Sequence, residues 1–193
     1  MTAGGGTADS GGFVLDPIQT SVLDYWHRAR GARATPLLDA LDPLNFDPSV
    51  LPYLIVAEYL DDRGRVRYRL AGEKMVERWG ANFRGKRSDE LFTGDYREHV
   101  EKCFALTWSE RCPVYSEGIF RWNDGGWVRT TRVMLPFAAE PDGDPVRVVV
   151  VQVFLPGVPG RVAPEIRVLG PAGMTFGMAV AIPGSPSDRR RQG

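Results

Sequence analysis

Two segments of the chain carry apolar residues at helical spacing. The first opens at Asp16-Pro17, which combines an N-cap residue with a proline at the first helical position, and it ends at Gly31. Its apolar residues form one stripe along the helix; they are Ile18, Val22, Tyr25, Trp26 and Ala29. The second predicted helix runs from Asp95 to about Glu110, because Pro113 cannot continue it.

An alternating pattern of apolar and polar residues before the second helix predicts a β-hairpin. Residues 53–60 form its first strand, and a turn rich in Asp and Gly leads to a second strand over 66–70. In this second strand Val66, Tyr68 and Leu70 alternate with arginines, so we expect all three on one face of the sheet. A short helix over 73–79 and a turn at 88–91 are expected next.

Three further strands follow the second helix in meander order. They are predicted over 114–122, 127–137 and 146–155, and the Asn-Asp-Gly-Gly sequence at 123–126 is typical of a hairpin turn. The last strand contains four consecutive valines, which indicates a central strand covered on both faces. The helix at 17–30 is the natural cover for the second face. Strands, then helices, then strands predict an antiparallel sheet of class α+β.

Composition divides the chain into a central domain and two tails. Residues 1–15 are rich in Gly, Ser and Thr and have little to bury, so we expect disorder there. Residues 16–155 hold the elements described above and are expected to form one domain. Residues 156–193 are rich in proline and glycine, and we expect them to be partly disordered, with one accessory strand over 174–182.

The balance of charge and apolar residues excludes several classes of protein. Hydrophobic residues make up 43% of the 193, enough for a core, and 24 basic residues balance 24 acidic ones. A domain that binds nucleic acid through its phosphates usually carries a basic excess, so no nucleic-acid partner is expected. No apolar run approaches the ~20 residues that span a bilayer, and the first residues do not resemble a signal peptide. We therefore expect a cytoplasmic protein with no membrane partner.

The two cysteines, Cys103 and Cys112, are too few for a disulfide framework. If the helix ran through both, they would lie about 13 Å apart, which is farther than a disulfide allows. We expect two reduced, half-buried thiols.

Several segments resemble the signature of a known domain family. Residues 67–72 (Arg-Tyr-Arg-Leu-Ala-Gly) and 79–86 (Trp-Gly-Ala-Asn-Phe-Arg-Gly-Lys) resemble the motifs of a bacterial, chiefly alphaproteobacterial, subfamily of PAS domains. Members of that subfamily are mostly small proteins with a single PAS domain. Further features fit the same pattern: Tyr25-Trp26, Asp42-Pro43, Leu51-Pro52 and the segment 134–137. The resemblance covers about residues 17–155.

The resemblance implies a five-stranded antiparallel sheet with helices between strands 2 and 3 and the N-terminal helix over the outer face. PAS domains enclose a small hydrophobic cavity between the inner face and those helices, and they use it to sense ligands or cofactors. We expect the following residues to face this interior: Tyr68, Leu70, Trp79, Phe83, Phe104 and Trp108. The rings either line a pocket for a small apolar or planar ligand or simply fill the core, and we favour the second interpretation.

His99 is the candidate for a cofactor, because haem-binding PAS domains take a histidine from the helix before the third strand. On a helical wheel, however, His99 lies about 80° from the centre of the apolar stripe, so we expect a surface histidine. His99 and Cys103 can meet at their i, i+4 spacing as a nucleophile–base pair or half a metal site. No third ligand or orienting group is identifiable. The favoured expectation is no cofactor, with a small ligand or haem as the alternatives.

The first functional hypothesis is a non-catalytic sensory or regulatory protein that signals through protein–protein contact. Its contact surface is predicted on the first helix, in a homodimer or with an unidentified signalling partner. The residues of this surface are Ile18, Val22, Tyr25 and Trp26. A charged residue in place of Trp26 would then give a folded monomer.

Two alternatives remain open. One is a small α+β enzyme that uses the same cavity, with His99 or the acidic residues of 89–101 as acid–base groups. The other is a structural adaptor whose core is filled, so that no ligand-sized cavity exists. The enzyme requires a carboxylate or His99 to point into the cavity with a shifted pKa.

Overall fold

The computed structural model describes residues 14–121, 127–156, 165–169 and 175–179. The helices are α1 (Pro17–Arg30), α2 (Glu73–Trp79), α3 (Ser88–Leu91) and α4 (Gly94–Glu110). The strands are β1 (Leu54–Tyr59), β2 (Val66–Ala71), β3 (Val114–Arg121), β4 (Trp127–Ala138), β5 (Pro145–Pro156), β6 (Glu165–Leu169) and β7 (Thr175–Ala179). Short 3₁₀ turns connect α1 to β1.

The strands of the described residues form one sheet in the order β2-β1-β5-β4-β3-β6-β7, and every neighbouring pair is antiparallel. The predicted α+β class, with helices between the second and third strands, is confirmed. Two strands extend the five that were expected: β6 pairs with β3, and β7 pairs with β6. The predicted accessory strand over 174–182 corresponds to β7. β6 was not predicted, because it is short and follows a segment rich in proline and glycine.

The two faces of the sheet carry separate hydrophobic clusters. Along β5, Val148 and Val150 belong to the inner cluster, while Val149 and Val151 belong to the outer one. All four valines are at most 2% exposed. The prediction of a central strand covered on both faces is therefore confirmed.

Helix α1 covers the outer face of the sheet, as predicted. Its start is capped by Asp16, whose carboxylate accepts a hydrogen bond from the Ile18 backbone N–H at 2.9 Å. Trp26 donates its indole N–H to the Pro136 carbonyl of β4 at 2.8 Å. Gln19 donates to the Thr131 hydroxyl at 3.2 Å, also on β4. These bonds fix the helix on the sheet, because polar groups buried at such an interface require partners there.

A β-bulge in β2 changes the face on which its last residues lie. Val56 of β1 pairs with Leu70 and the next residue, Ala57, pairs with Tyr68, so Arg69 is an extra residue. Tyr68 therefore lies on the inner face, whereas Leu70 lies with Val56 on the outer face and is 37% exposed. The prediction that Leu70 shares a face with Tyr68 is wrong, because a bulge reverses the alternation of every residue beyond it.

The β1–β2 hairpin lies directly against α4. Gly64, in the hairpin turn, has a φ of +87°, and a Cβ atom there would lie 2.0 Å from the Glu101 carbonyl oxygen. The segment after α2 returns to β2, where the Gly85 N–H donates to the Tyr68 carbonyl at 2.7 Å. These two contacts hold the hairpin turn against α4 and the segment after α2 against β2, at the inner face of the sheet.

Several predictions fall wholly or partly outside the described residues: the turn at 123–126 and the disorder of the two tails, of which only residues 14, 15, 156, 165–169 and 175–179 are described. Within the described ranges, no helix has the length and apolar character needed to cross a bilayer.

Candidate ligand-binding cavity

A small cavity lies between the inner face of the sheet and helices α2 to α4. Its aromatic lining consists of Tyr68, Trp79, Phe83, Phe92, Tyr96 and Phe104. The aliphatic lining consists of Ile55, Val100, Met134 and Val150. Two polar residues, Arg132 and Gln152, complete the lining. The free space is about 20 Å³, which is about the room that one water molecule requires.

The aromatic residues of the lining contact one another, several of them edge to face. The Tyr68 and Phe83 ring centroids lie 5.2 Å apart, and those of Phe92 and Tyr96 lie 5.1 Å apart. The Trp79 ring centroid lies 5.0 Å from that of Phe92 and 5.5 Å from that of Tyr96. Trp79 and Tyr96 are half-buried, so they form the side of the cavity nearest to solvent. A ligand larger than a water molecule must displace some of these rings.

The structure brings four of the six predicted cavity residues together: Tyr68, Trp79, Phe83 and Phe104. Leu70 does not belong to the lining, because the bulge in β2 places it on the outer face. Trp108 is half-buried and also lies outside the lining. Each i+4 step turns about 40° around a helix, so Trp108 lies about 120° from Tyr96 and has left the face of α4 that borders the cavity.

Arg132 is a cavity residue that sequence reasoning missed. It lies on β4, is 1% exposed, and stands in register between Ser116 of β3 and Gln152 of β5. Its Nε donates to the Gln152 side-chain oxygen at 2.7 Å, and one Nη donates to the Ser116 hydroxyl at 3.4 Å. The alternation in β4 was the available signal, because Arg132 shares a face with the inward-facing Met134.

Tyr96, in the first turn of α4, connects the Arg132 guanidinium to the aromatic lining of the cavity. The second Nη of Arg132 donates to the Tyr96 hydroxyl at 2.7 Å, and the guanidinium carbon lies 5.3 Å from the centroid of the ring. Burial raises the pKa of the Tyr96 hydroxyl, and this effect outweighs the opposing influence of the nearby Arg132 charge. The phenol therefore stays protonated at neutral pH and acts as the acceptor for the guanidinium.

His99 is buried, at 3% exposure, so the prediction of a surface histidine is wrong. Helix α4 contacts β6 as well as β3 and β4, and the face it buries is therefore wider than its apolar stripe. Burial, followed by the charges of Arg132 and Lys102, lowers the pKa of His99 to about 3. The ring is consequently neutral at physiological pH.

Cys103 lies beside His99, with its Sγ atom 3.7 Å from the His99 Nε2. Burial raises the pKa of the Cys103 thiol to about 11, so it is not a thiolate at neutral pH and makes a poor nucleophile. Both cysteines are free, but Cys103 is fully buried rather than half-buried. Among the residues that the structure describes, no group of His, Cys, Asp and Glu is arranged to hold a metal ion.

The described residues do not fit a haem group. His99 is absent from the cavity lining, and its Nε2 is directed at a thiol rather than into open space. The free volume of about 20 Å³ is far below what a porphyrin would need. A haem could enter only after a large rearrangement of the aromatic lining of the cavity.

Of the acidic residues proposed for the enzyme alternative, Asp89, Glu90, Glu98 and Glu101 lie outside the described cavity lining. The Asp89 carboxylate accepts from Arg87 at 2.9 Å, and Glu101 accepts from Arg97 at 3.0 Å. Arg87 also holds the pKa of Asp89 below its usual range. These ion pairs hold both carboxylates at the surface of the helices, where they cannot act on a molecule in the cavity.

The predicted contact surface on α1 is largely occupied within the chain. Trp26 is 0% and Val22 1% exposed, because both pack on the outer face of the sheet. Ile18 and Tyr25 are half-buried, and the Tyr25 hydroxyl donates to the Ala40 carbonyl. The amphipathic stripe was correctly predicted. The prediction that it forms a surface for a partner is wrong, because the stripe packs against the sheet of the same chain.

The described residues form an α+β domain whose sheet is covered on both faces and whose inner face borders an aromatic cavity. Residues 16–151 match the PAS domain family, which is well over half of the chain. The chain belongs to the PAS domain family, whose members typically serve sensory or regulatory roles. No curated protein matches the chain.

Two solved structures resemble the chain. One is the VqmA dimer of Vibrio cholerae in the absence of its target DNA, with 15% identity and a TM-score of 0.41 over 54% of this chain. The chain spans about half the length of that protein, 47%. The other is the PAS domain of an HTR-like protein from Haloarcula marismortui, with 16% identity and a TM-score of 0.33, covering 52% of this chain and 81% of that one.

Proposed function

We propose that this PAS domain is a non-catalytic sensory or regulatory module that binds a small molecule in its inner cavity and signals through protein–protein contact. The observation that carries the proposal is the composition of the cavity, where one buried guanidinium and one amide stand among six aromatic rings. A few precisely placed polar groups in an apolar lining are typical of ligand sites. A core that only needed filling would not require a buried charge.

The free space of about 20 Å³ means that the resting cavity is nearly closed. Ligand entry therefore requires the half-buried Trp79 and Tyr96 to move, together with the helices that carry them. Such a movement would change the surface formed by α2 and α4. This gives binding a route to a partner protein, because a ligand that favours one arrangement shifts the population toward it.

The same proposal includes the biological setting expected from the sequence. We infer that the chain belongs to the bacterial, chiefly alphaproteobacterial, subfamily of PAS domains that its motifs resemble, that it acts in the cytoplasm, and that it forms a homodimer. Its domain would span 16–155, with 156–193 as an extension. The dimer surface must lie elsewhere than the buried residues of α1.

Native mass spectrometry of the purified protein, with an absorption spectrum of the same sample, tests this proposal. A small molecule that co-purifies with the chain, or a doubled mass, would support the ligand site or the homodimer respectively. A bare monomer that no compound of a small-molecule collection stabilises against heat would contradict both. That result would favour the structural adaptor, whose specific support is the small volume of the cavity.

A further inference from the structure

A row of polar side chains crosses the inner face of the sheet beside the cavity. Ser116, Arg132 and Gln152 stand directly opposite one another on β3, β4 and β5. They are 0%, 1% and 3% exposed respectively. Because cross-strand pairs in register share a face, all three project toward the helices that cover the cavity.

The guanidinium of Arg132 donates to three neutral side chains: Gln152, Ser116 and Tyr96. The bonds to Gln152 and Tyr96 are both 2.7 Å long, and the bond to Ser116 is 3.4 Å long. Arg132 and Gln152 also line the free space. A planar, permanently charged fork at the edge of an apolar cavity has the geometry that recognises a carboxylate.

The electrostatic character of the cluster around Arg132 is positive. The charge of Arg132 contributes to the low pKa of His99, so the field of the guanidinium reaches the buried face of α4. Glu101, an acidic residue of the same helix, is held by Arg97 and Ser88 and does not belong to the cavity lining. An anion that entered the cavity would meet a favourable field.

We propose that the cavity binds a small monocarboxylate, whose carboxylate contacts Arg132 and Gln152 and whose apolar body lies among the rings of Trp79, Phe92 and Tyr96. This inference rests on the proposed function, since it names the chemical class of the ligand for the same site. A carboxylate is a stronger acceptor for a guanidinium than the neutral phenol that it would replace, because both partners of the bond are then charged.

Binding of a carboxylate would displace the Tyr96 hydroxyl from the guanidinium. Tyr96 lies in the first turn of α4, and its ring contacts both Trp79 of α2 and Phe92, which follows α3. Release of this one hydrogen bond therefore affects all three helices that cover the cavity. Because the Arg132–Tyr96 hydrogen bond lies between the cavity and these helices, its loss on ligand binding would change the outer surface of α2 and α4, through which a partner would receive the signal.

The test compares each carboxylate with its neutral amide at pH 7: propionate with propionamide, and benzoate with benzamide. The amide keeps the shape of the acid and removes its charge. At ten times its dissociation constant, the bound carboxylate should raise the melting temperature of the full chain by about 3–6 °C. The matched amide should give a much smaller shift.

The Arg132→Met variant removes the charge and keeps much of the length of the side chain. It should bind the carboxylate about 10- to 100-fold more weakly. Arg129→Met is the matched control, since Arg129 lies on the same strand, is paired with Glu117 on the outer face, and should leave binding unchanged. If Arg132→Met does not fold, Arg132→Lys retains the charge but not the fork and should still weaken binding.

The Tyr96→Phe variant separates a ligand site from a structural network. Removal of the hydroxyl takes away the acceptor with which the carboxylate competes, so the carboxylate should bind about 2- to 10-fold more tightly. Unchanged or weaker binding in Tyr96→Phe would contradict the displacement, because a network with only a structural role gives no gain in affinity.

The outcomes distinguish the ligand class from the ligand site. Equal stabilisation by amide and carboxylate would overturn the carboxylate inference and leave the proposed cavity function standing. Stabilisation by carboxylate that survives in Arg132→Met would place the anion elsewhere and overturn the inference. If neither compound of either pair binds and no member of a wider collection does, both the inference and the proposed function fail.

Discussion

Polar side chains buried on the inner face of the sheet give the core a positive charge and a hydrogen-bond network, which an all-apolar core lacks. Arg132, Gln152 and Ser116 occupy one cross-strand row, and His99 and Cys103 lie beside them on the buried face of α4. Burial is the main cause of the shifted pKa values of His99 and Cys103, and it keeps both groups neutral. They are thus structural neighbours of the charge rather than reactive groups.

The buried His99 should make the folded protein sensitive to acid. Its pKa is about 3 in the folded chain against an ordinary value of 6.5, so the unfolded state binds the proton more readily. The stability that this provides is complete above pH 6.5 and is lost as the pH falls from 6.5 toward 3. Between pH 7 and pH 5, urea unfolding should show a loss of about 2 kcal/mol from this one residue.

The His99→Gln variant isolates that effect, because glutamine does not titrate. Its free energy of unfolding should fall about 2 kcal/mol less than that of the wild type between pH 7 and pH 5. His27→Gln is the comparison, since burial also lowers the pKa of His27 but the ring is only half-buried, and its loss should change the pH dependence less. Equal pH dependence in His99→Gln and the wild type would contradict the buried, neutral state of His99.

At the scale of the elements, the hairpin β1–β2 and helix α4 depend on a close backbone approach. The turn brings Gly64 against the carbonyl of Glu101 and the amide of Ala105 in the middle of α4. The bulge at Arg69 then directs Tyr68 inward and Leu70 outward. These two local features decide which residues of the hairpin reach the cavity.

The Gly64→Ala variant should destabilise the protein by about 3–5 kcal/mol, because it adds a left-handed non-glycine residue and a backbone clash. The new Cβ would lie 2.0 Å from the Glu101 oxygen, and neither backbone can yield cheaply. Gly80→Ala is the matched control, with a φ of +68° and nothing within 4 Å of its Cβ. It should cost only about 1–2 kcal/mol in chemical denaturation. Similar costs for the two variants would refute the close approach.

At the scale of the whole molecule, the sheet is the middle layer of three. Helices α2 to α4 cover the inner face, and α1 with the 3₁₀ turns covers the outer face. The outer cluster depends on Trp26, which is fully buried and bonded to Pro136. Helix α1 is therefore part of the fold of the domain and does not offer its apolar stripe to a partner.

The Trp26→Glu variant should unfold the protein rather than yield a folded monomer. Loss of the ring alone costs about 3–5 kcal/mol, and a carboxylate buried in its place adds a larger penalty. That sum is comparable to the total stability of a typical domain. Ser21→Glu places the same charge on the exposed face of α1 and should leave the circular dichroism and the melting temperature nearly unchanged. A folded, native-like Trp26→Glu protein would contradict this account.

The fold was largely predictable because its signals are local. The cap and stripe of α1, the alternation and turn of the β1–β2 hairpin and the four valines of β5 each depend on residues close together in the chain. The class α+β and the two-sided central strand follow from these periodicities alone. Four aromatic residues of the cavity were likewise expected there, and three of them, Tyr68, Trp79 and Phe104, stand within predicted elements.

Tertiary contacts decided the remainder of the site. Leu70 lies outside the cavity because of a one-residue bulge in β2. The alternation of the strand does not reveal this bulge, because it depends on the pairing with β1. His99 was buried because α4 contacts β3, β4 and β6 with a face that is wider than its apolar stripe. Arg132 lines the cavity because the pairing of β3, β4 and β5 places it in register with Ser116 and Gln152. Periodicity in the sequence determines which face of an element is apolar, but only packing determines what that face meets and where a polar residue on it finds its partners.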